Sequence, residues 1–231
     1  MADTLTEGLI NINGDSVQTL EIIYLMTLFS LLPSAVILMT SFTRYIVSLS
    51  FLRNAMGTQQ VPPNMVLVGL AMFLTLFTMG PVVREISSTA YQPYLDGAIG
   101  QAEFFERAQL PLKNFMVQNT DTSSLRMFCD MDASVERPDS LETARELPLR
   151  VIVPAFATSE LRRAFEIGLY LYIPFLLIDI IVSTVLMSMG MIMLPPSMIS
   201  TPFKLLLFVS LNGWELVFTS LVRGVQYTPL G

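Results

Sequence analysis

The chain has 231 residues, of which 52% are hydrophobic and only 14% are charged, and its formal net charge is −6. A mean hydropathy of +0.59 is too high for an ordinary soluble domain, and the acidic balance excludes the basic surface that nucleic-acid binding requires. There is no histidine, and Cys129 is the single cysteine, which excludes histidine-dependent nucleophiles and most zinc sites. Neither lysine, Lys113 or Lys204, follows a glycine-rich phosphate-binding loop. We therefore expect no enzyme activity, no cofactor and no metal.

A polar, acidic stretch, residues 1–19, precedes the apolar segments, and a short tail, 223–231, follows them. The first stretch lacks the apolar core of a signal peptide, so we expect no cleavable signal in this sequence. Residues 20–83 contain a first pair of apolar segments, each of about the 20 residues that a membrane-spanning helix needs. The part that connects them, 43–64, should form an amphipathic helix that ends near Gly57, followed by a turn.

Residues 84–153 form the hydrophilic region of the chain and contain most of its acidic side chains. Residues 102–109 have the pattern of a short helix. A second helix should follow Asp139, where Glu142 completes a capping box. A region of about 70 residues has only a thin core of its own. We therefore expect a small, mostly helical subdomain that its neighbours stabilise.

A second pair of apolar segments occupies residues 154–222. Its first helix should begin at a cap on Thr158 or Ser159, with an acidic side chain in the favourable first turn. This helix should run to Ser188. The second helix should take up the remainder of the pair, starting at Pro202.

Four apolar segments predict an all-α integral membrane protein with long, proline-kinked helices arranged as helical hairpins. Arg44 and Arg53 lie in the first connecting segment without an acidic side chain, so the positive-inside rule places that segment in the cytoplasm. The N-terminus and residues 84–153 then lie on the opposite, outer side of the membrane. Arg162 and Arg163 fall on the wrong side for this rule, and we expect acidic side chains of a neighbour to pair with them.

Asp179, Lys204 and Glu215 lie inside apolar segments, where a charge costs several kcal/mol unless it faces protein or water. Three interpretations are open: paired charges that fix how helices or subunits register, an ion- or proton-coupled relay, or the lining of a conduit. Lys204 is near a helix start and can instead extend its ammonium group to the interface. The charges that we expect to make inter-helix or inter-subunit contacts are Arg44, Arg53, Glu160, Arg162, Arg163, Asp179, Lys204 and Glu215.

Residues 187–196, MSMGMIMLPP, separate the last two apolar segments. Gly190 loosens the backbone there, and Pro195 and Pro196 remove two N–H donors, so a helix that enters does not run through. The methionine side chains are unbranched and polarizable and adapt to an irregular partner. They form either a buried turn or a soft hydrophobic gasket that lines a pore, and this stretch alone leaves both interpretations open.

Several blocks of the sequence resemble a known family. PAFATSELRRAFEIGL at 154–169 and PFKLLLFVSLNGW at 202–214 are similar to the two signature segments of the FliP/SctR family, the export-gate proteins of bacterial flagellar and injectisome type III secretion. Residues 40–64, TSFTRYIVSLSFLRNAMGTQQVPPN, resemble its first cytoplasmic segment, and VLMSMGMIML resembles its methionine-rich loop. The resemblance covers nearly the whole chain and weakens at 86–150. The sequences TSFTR and GTQQ favour a flagellar over an injectisome member of the family.

The resemblance implies a pore-forming subunit of the flagellar export gate, which passes unfolded flagellar proteins across the bacterial inner membrane at the basal body. It implies that about five copies of the chain assemble with FliQ- and FliR-type subunits and an FlhB-type switch protein in a helical, cone-shaped complex. The partners are these subunits, the exported proteins and the lipid bilayer. In the family, the methionine-rich loop forms the closure. The corresponding gasket residues are Met187, Met189, Met191, Ile192 and Met193, in a loop shaped by Gly190, Pro195 and Pro196.

Two positions depart from the family pattern. Ile192 places a stiff β-branched side chain where many relatives continue the methionine run, and Asn212 stands where aspartate is also common. Other hypotheses remain beside the gate. The chain could be the equivalent injectisome subunit, a scaffold whose methionine loop is buried packing, or a broken-helix transporter of small molecules or ions. The transporter predicts inverted repeats, and the two segment pairs show no convincing self-similarity.

Overall fold

The computed structural model describes residues 9–12, 15–58 and 60–230, and these residues are predominantly α-helical. The chain divides into two compact units, residues 1–37 and 38–231. The described part of the larger unit is entirely helices, turns and extended connections, as the predicted all-α class requires.

The first unit contains a pair of antiparallel strands that the sequence analysis did not predict. Strand β1 spans Leu9–Ile12 and strand β2 spans Asp15–Gln18, with Ile12 paired to Asp15. The dipeptide Asn13-Gly14 stands between the two strands in the sequence and is a strong hairpin signal. Helix α1, Thr19–Met39, follows the second strand.

The larger unit places the remaining helices in the order that the apolar pattern predicts, with additional short helices in the hydrophilic region. Helix α3 continues into a π-helical turn at Ser87–Tyr91. The helices are α2 (Phe42–Met56), α3 (Asn64–Ile86), α4 (Gln92–Leu95), α5 (Gln101–Gln118), α6 (Thr122–Met131), α7 (Leu141–Glu146), α8 (Leu149–Ser188), α9 (Pro196–Ser210) and α10 (Gly213–Arg223).

Within the described residues, two helical stretches are long and apolar enough to cross a membrane by length and composition, Asn64–Leu95 and Leu149–Ser188. The number rises to four if each of two bent helix pairs counts as one span. One bent pair combines Pro33–Met39 with α2, and the other combines α9 with α10. Two to four long apolar helices are therefore compatible with a membrane location.

The larger unit has two clusters of buried apolar side chains, and α8 contributes to both. The first cluster, the subdomain core, surrounds Phe115 and Phe156 and joins α5, α6 and α7 to the start of α8. The second cluster, the helix core, surrounds Tyr45 and Leu49 and joins α2 to α3, α8, α9 and α10. One face of α8 thus completes the subdomain core. A region of this size needs such a contact, because its own core is thin.

The start of α8 differs from the predicted cap at Thr158 or Ser159. The helix begins at Leu149 and runs through Pro154 without a break. The two hydroxyls therefore lie in the helix interior, where Thr158 donates to the Pro154 carbonyl at 2.8 Å and Ser159 donates to the Ala155 carbonyl at 2.9 Å. Side-chain donation to a carbonyl four residues earlier is the usual role of these residues inside a helix.

The cap of α7 lies one residue later than predicted. Ser140 is the N-cap and accepts from the Thr143 amide at 3.2 Å, while the Thr143 hydroxyl accepts from the Ser140 amide at 3.1 Å. The capping box is therefore Ser140 with Thr143, and Asp139 with Glu142 is wrong. Serine followed by threonine three residues later satisfies the same two backbone donors.

The fourth apolar segment is two helices and not the single helix that was predicted. Helices α9 and α10 meet at an angle of 66°, because Asn212 adopts the left-handed conformation with φ of 50°. Asparagine is one of the few residues that tolerate this conformation. A Cβ atom at Gly213 would lie 2.2 Å from the ring of Phe208, so only glycine lets α10 approach the end of α9 this closely.

Gly168 lets α2 and α8 approach each other, and this contact predicts a difference between two glycine-to-alanine variants. A Cβ atom at Gly168 would lie 2.6 Å from the ring of Phe51. We expect Gly168→Ala to lower the free energy of unfolding by about 1–3 kcal/mol through overpacking. Gly69 in α3 has nothing within 4 Å of the same position, so Gly69→Ala should have no cost. Thermal unfolding of the detergent-purified variants measures this, and equal melting temperatures would contradict the close approach.

Candidate functional site

The methionine-rich loop begins where α8 is closed by a Schellman motif. Gly190 has φ of 76°, its amide donates to the Met187 carbonyl at 3.0 Å, and the Met191 amide donates to the Leu186 carbonyl at 3.0 Å. This pair of hydrogen bonds satisfies the last carbonyls of the helix and requires a left-handed residue. Gly190 therefore ends the helix and turns the chain away from its axis.

The next helix begins at the two prolines. Pro195 is the N-cap of α9 in an extended conformation, and Pro196 occupies the first helical position. Proline is favourable there because its missing N–H would have no partner inside the helix. The residues from Met191 to Leu194 thus connect two helix ends that the sequence fixes separately.

The side chains of this loop are exposed in the single chain. The exposed fraction is 96% for Met193, 84% for Ile192, 68% for both Met187 and Met189, and 41% for Met191. The chain itself therefore does not bury the loop as a turn. An apolar patch of this kind on a protein surface usually marks an interaction site or a conduit.

An ion pair joins the two helices that carry the loop. Lys204 in α9 lies 2.6 Å from the Asp179 carboxylate in α8, and the Ser200 hydroxyl donates to the same carboxylate at 2.6 Å. Lys204 also donates to the Ala55 carbonyl in the last turn of α2 at 3.1 Å, where a cation is favourable. Asp179 is nine residues before the end of α8, so the Asp179–Lys204 ion pair lies roughly 13 Å from the loop along the helix.

A second ion pair, between Arg44 and Glu160, joins α2 to α8 and is fully buried. Each side chain is 1% exposed, and the guanidinium donates to both carboxylate oxygens, with Arg44 Nε at 2.8 Å from Glu160 Oε2. The remaining guanidinium nitrogen donates to the Gly224 carbonyl at 2.5 Å. A two-pronged contact of this kind is the geometry that best offsets the removal of both charges from water.

Arg163 ties the buried pair to the hydrophilic region. Its guanidinium lies 3.1 Å from the Asp121 carboxylate at the start of α6 and 4.0 Å from Glu160. The Asp121 amide also donates to the Ser159 hydroxyl at 2.9 Å. Four charges and a hydroxyl therefore link α2, α6 and α8 at one place.

The other predicted charges have lesser contacts. Arg162 pairs with Glu166 on its own helix at 3.1 Å, where both side chains are exposed, and Arg53 donates to the Asn64 side chain. The partners of Arg162 and Arg163 are thus supplied by this same chain. Glu215 is exposed and has no ion pair within the described residues. Nothing in the sequence identifies Asp121, Ser159 or Ser200 as partners of these charges, because no local pattern reveals a contact between distant helices.

The geometry defines a class of protein. Within the described ranges, no three His, Cys, Asp or Glu side chains converge as a metal site would require. What the structure presents is a set of long apolar helices that charges fix to one another, with an exposed methionine loop between α8 and α9. This is the architecture of a predominantly α-helical protein compatible with a membrane location.

Comparison with known proteins gives the family. The sequence model of the FliP family matches residues 25–221. The chain is 48% identical to the flagellar biosynthetic protein FliP of Aquifex aeolicus over 92% of this chain and 88% of that protein. It is 48% identical to the FliP of Bacillus subtilis (89% and 91% covered) and 46% identical to that of Caulobacter vibrioides (97% and 85% covered). The chain belongs to the FliP family, which confirms the resemblance inferred from its motifs.

The buried ion pair predicts a large stability loss on removal of one charge. Glu160→Gln leaves the Arg44 guanidinium buried without its counter-charge, so we expect a loss of about 3–5 kcal/mol in the free energy of unfolding. The matched control is Glu166→Gln, because exposed pairs such as Glu166 with Arg162 contribute about 0–1 kcal/mol. Thermal unfolding in detergent measures both, and similar shifts for the two variants would contradict the role of the buried pair.

Proposed function

We propose that the chain is a pore-forming subunit of the flagellar type III protein export gate, which passes unfolded flagellar proteins across the bacterial inner membrane. Membership of the FliP family supports a non-enzymatic component of the flagellar export apparatus. The relatives named above are flagellar proteins, which favours the flagellar gate over an injectisome. The observation that carries the pore role is the exposed apolar loop between α8 and α9.

The exposed helix faces support assembly in a membrane with other subunits. Phe73 and Phe77 of α3 are 74% and 71% exposed, and α8 presents Leu169 and Ile181 in the same way. Lipid or further protein must cover surfaces of this kind. We propose that further copies of the chain, FliQ- and FliR-type subunits and an FlhB-type protein do so in a cone-shaped complex. In this arrangement the N-terminus and residues 84–153 lie on the periplasmic side, and 43–64 lies on the cytoplasmic side.

The proposed gasket works by excluding water when no substrate is present. A ring of loops, one from each copy, would bring the methionine and Ile192 side chains together in a narrow apolar constriction, which blocks ions by dewetting. Each thioether has many rotamers of similar energy, so the constriction can yield around a passing polypeptide. Ile192 is stiffer than its neighbours and would limit how far the closed loop relaxes.

In this proposal the two ends of the loop stay fixed while the side chains between them move. The Schellman hydrogen bonds at Gly190 and the start of α9 at Pro196 fix where the loop leaves each helix. The Asp179–Lys204 pair fixes the two helices to each other. A rigid base with a soft tip lets substrate displace the side chains without opening the helix pair.

This mechanism predicts that truncating the loop side chains makes the closed gate leak. We expect Met191→Ala/Met193→Ala to raise the ionic conductance of membranes that contain the assembled gate severalfold, because alanine leaves a wider constriction that water can fill. The matched control is Met65→Ala/Met131→Ala, which removes two exposed methionines outside the loop (87% and 73% exposed). Unchanged conductance in the loop variant, with the gate assembled, would contradict the gasket.

A further inference from the structure

The C-terminal tail lies against α5 in an extended conformation and is held by side chains from distant parts of the chain. Seven hydrogen bonds join residues 226–230 to side chains of α5, of its C-cap Asn119 and of α3. Just before them, the Gly224 carbonyl accepts from buried Arg44 of α2. The tail therefore contacts three helices that lie more than 100 residues before it in the sequence.

The side-chain amides of Gln118, the last residue of α5, and of Asn119, its C-cap, bind the backbone of the tail as a neighbouring strand would. Asn119 donates to the Gln226 carbonyl at 2.6 Å and accepts from the Gln226 amide at 3.1 Å. Gln118 donates to the Thr228 carbonyl at 2.9 Å and accepts from the Thr228 amide at 2.8 Å. Asn114 adds a second donor to the Thr228 carbonyl at 2.9 Å. These contacts use main-chain atoms, which every residue except proline provides in full.

The tail side chains alternate between packing against the protein and exposure to solvent. We call the surface that binds the tail, formed by Glu85, Asn114, Gln118 and Asn119, the groove. Val225 and Tyr227 pack against the subdomain core, whereas Gln226 and Thr228 are exposed. An alternation of this kind is the mark of an extended peptide whose backbone is bound on one side. The side chains that would select the peptide are therefore those at positions 225 and 227.

Tyr227 supplies the specific anchor. Its ring lies 6.3 Å from that of Phe115, and its hydroxyl donates to the Glu85 carboxylate. Burial, the larger cause, and the hydrogen bond to Glu85, the smaller, raise the pKa of Tyr227 above its usual value. The hydroxyl therefore keeps its proton and acts as a donor. Glu85 also accepts from the Leu230 amide at 3.1 Å. One carboxylate thus holds both the anchor and the end of the tail.

We propose that Asn114, Gln118, Asn119 and Glu85 form a binding site for an extended peptide that carries an apolar residue and, two positions later, a tyrosine. In this chain the ligand is its own tail, residues 225–230, which latches the hydrophilic region onto the ends of the apolar helices. The latch is held by backbone hydrogen bonds and one aromatic anchor, and Val225 and Tyr227 are only partly buried at the edge of the subdomain core. This site is distinct from the methionine loop and does not depend on the export role.

A labelled peptide tests the site in the full-length protein. The probe is a fluorescent peptide of the sequence GVQYTPL, residues 224–230, added to detergent-purified protein. Tyr227→Ala in the chain weakens its own tail and leaves the groove free, so this variant should bind the probe more tightly than the wild-type protein, whose groove is filled. Adding Gln118→Ala or Asn119→Ala should lower the affinity about tenfold each, because two hydrogen bonds are lost.

The controls distinguish binding of the peptide to the groove from non-specific binding. Gln101→Ala, an exposed amide at the start of the same helix, should leave binding unchanged. The peptide with alanine in place of tyrosine should bind at least about tenfold more weakly. Equal binding to the groove variants and to the Gln101→Ala control would overturn the proposal, and so would the absence of binding to the Tyr227→Ala protein.

A second measurement keeps the test valid if Tyr227→Ala does not fold. Amide hydrogen exchange on the wild-type full chain should show protection at Gln226 and Thr228, whose amides are bound by Asn119 and Gln118. Exchange at these amides should accelerate in Gln118→Ala and stay slow in Gln101→Ala. Unprotected exchange at both positions in the wild-type protein would show that the tail is not bound and would overturn the proposal.

Discussion

The arrangement of the larger unit depends on a charge that has no access to water. Arg44 and Glu160 are 116 residues apart in the sequence, and both are buried. Because an unpaired charge in this position is very costly, α2 and α8 must meet at one register. Arg163 and Asp121 extend the contact to the hydrophilic region, and the Gly224 carbonyl extends it to the C-terminal tail. The pair fixes the relative positions of these parts and does not need to add net stability to do so.

The loop follows from that constraint. Helix α8 is held at Glu160 and again at Asp179, and it ends at Gly190, beyond which the loop is exposed. Polar contacts thus set the position of the loop, while its apolar side chains remain without packing inside the chain. The loop is fixed at both ends, and its apolar side chains are exposed in the single chain. These properties suit the proposed gasket, whose contacts would form, break and re-form as substrate passes.

The sequence was sufficient for features that hydrophobicity or a short motif determines. The first two long apolar helices, α1 and α3, and the end of α2 at Gly57 lie where they were predicted. The break at Asn212 was missed because hydropathy continues across it, and the start of α8 was missed because proline usually marks a helix boundary. The partners of Arg44 and Lys204, and the docking of the tail, were beyond prediction because they depend on contacts between residues at least 25 positions apart.

The proposed gasket is tested most directly by asking what the loop touches during export. A photo-crosslinking residue at position 193, in a gate stalled with an export substrate whose end cannot unfold, should form crosslinks to the substrate chain. The same residue at position 131, which is also exposed but lies in the hydrophilic region, should not. Crosslinks from position 193 that reach neighbouring subunits and never the stalled substrate would contradict the account and would make the loop a packing element.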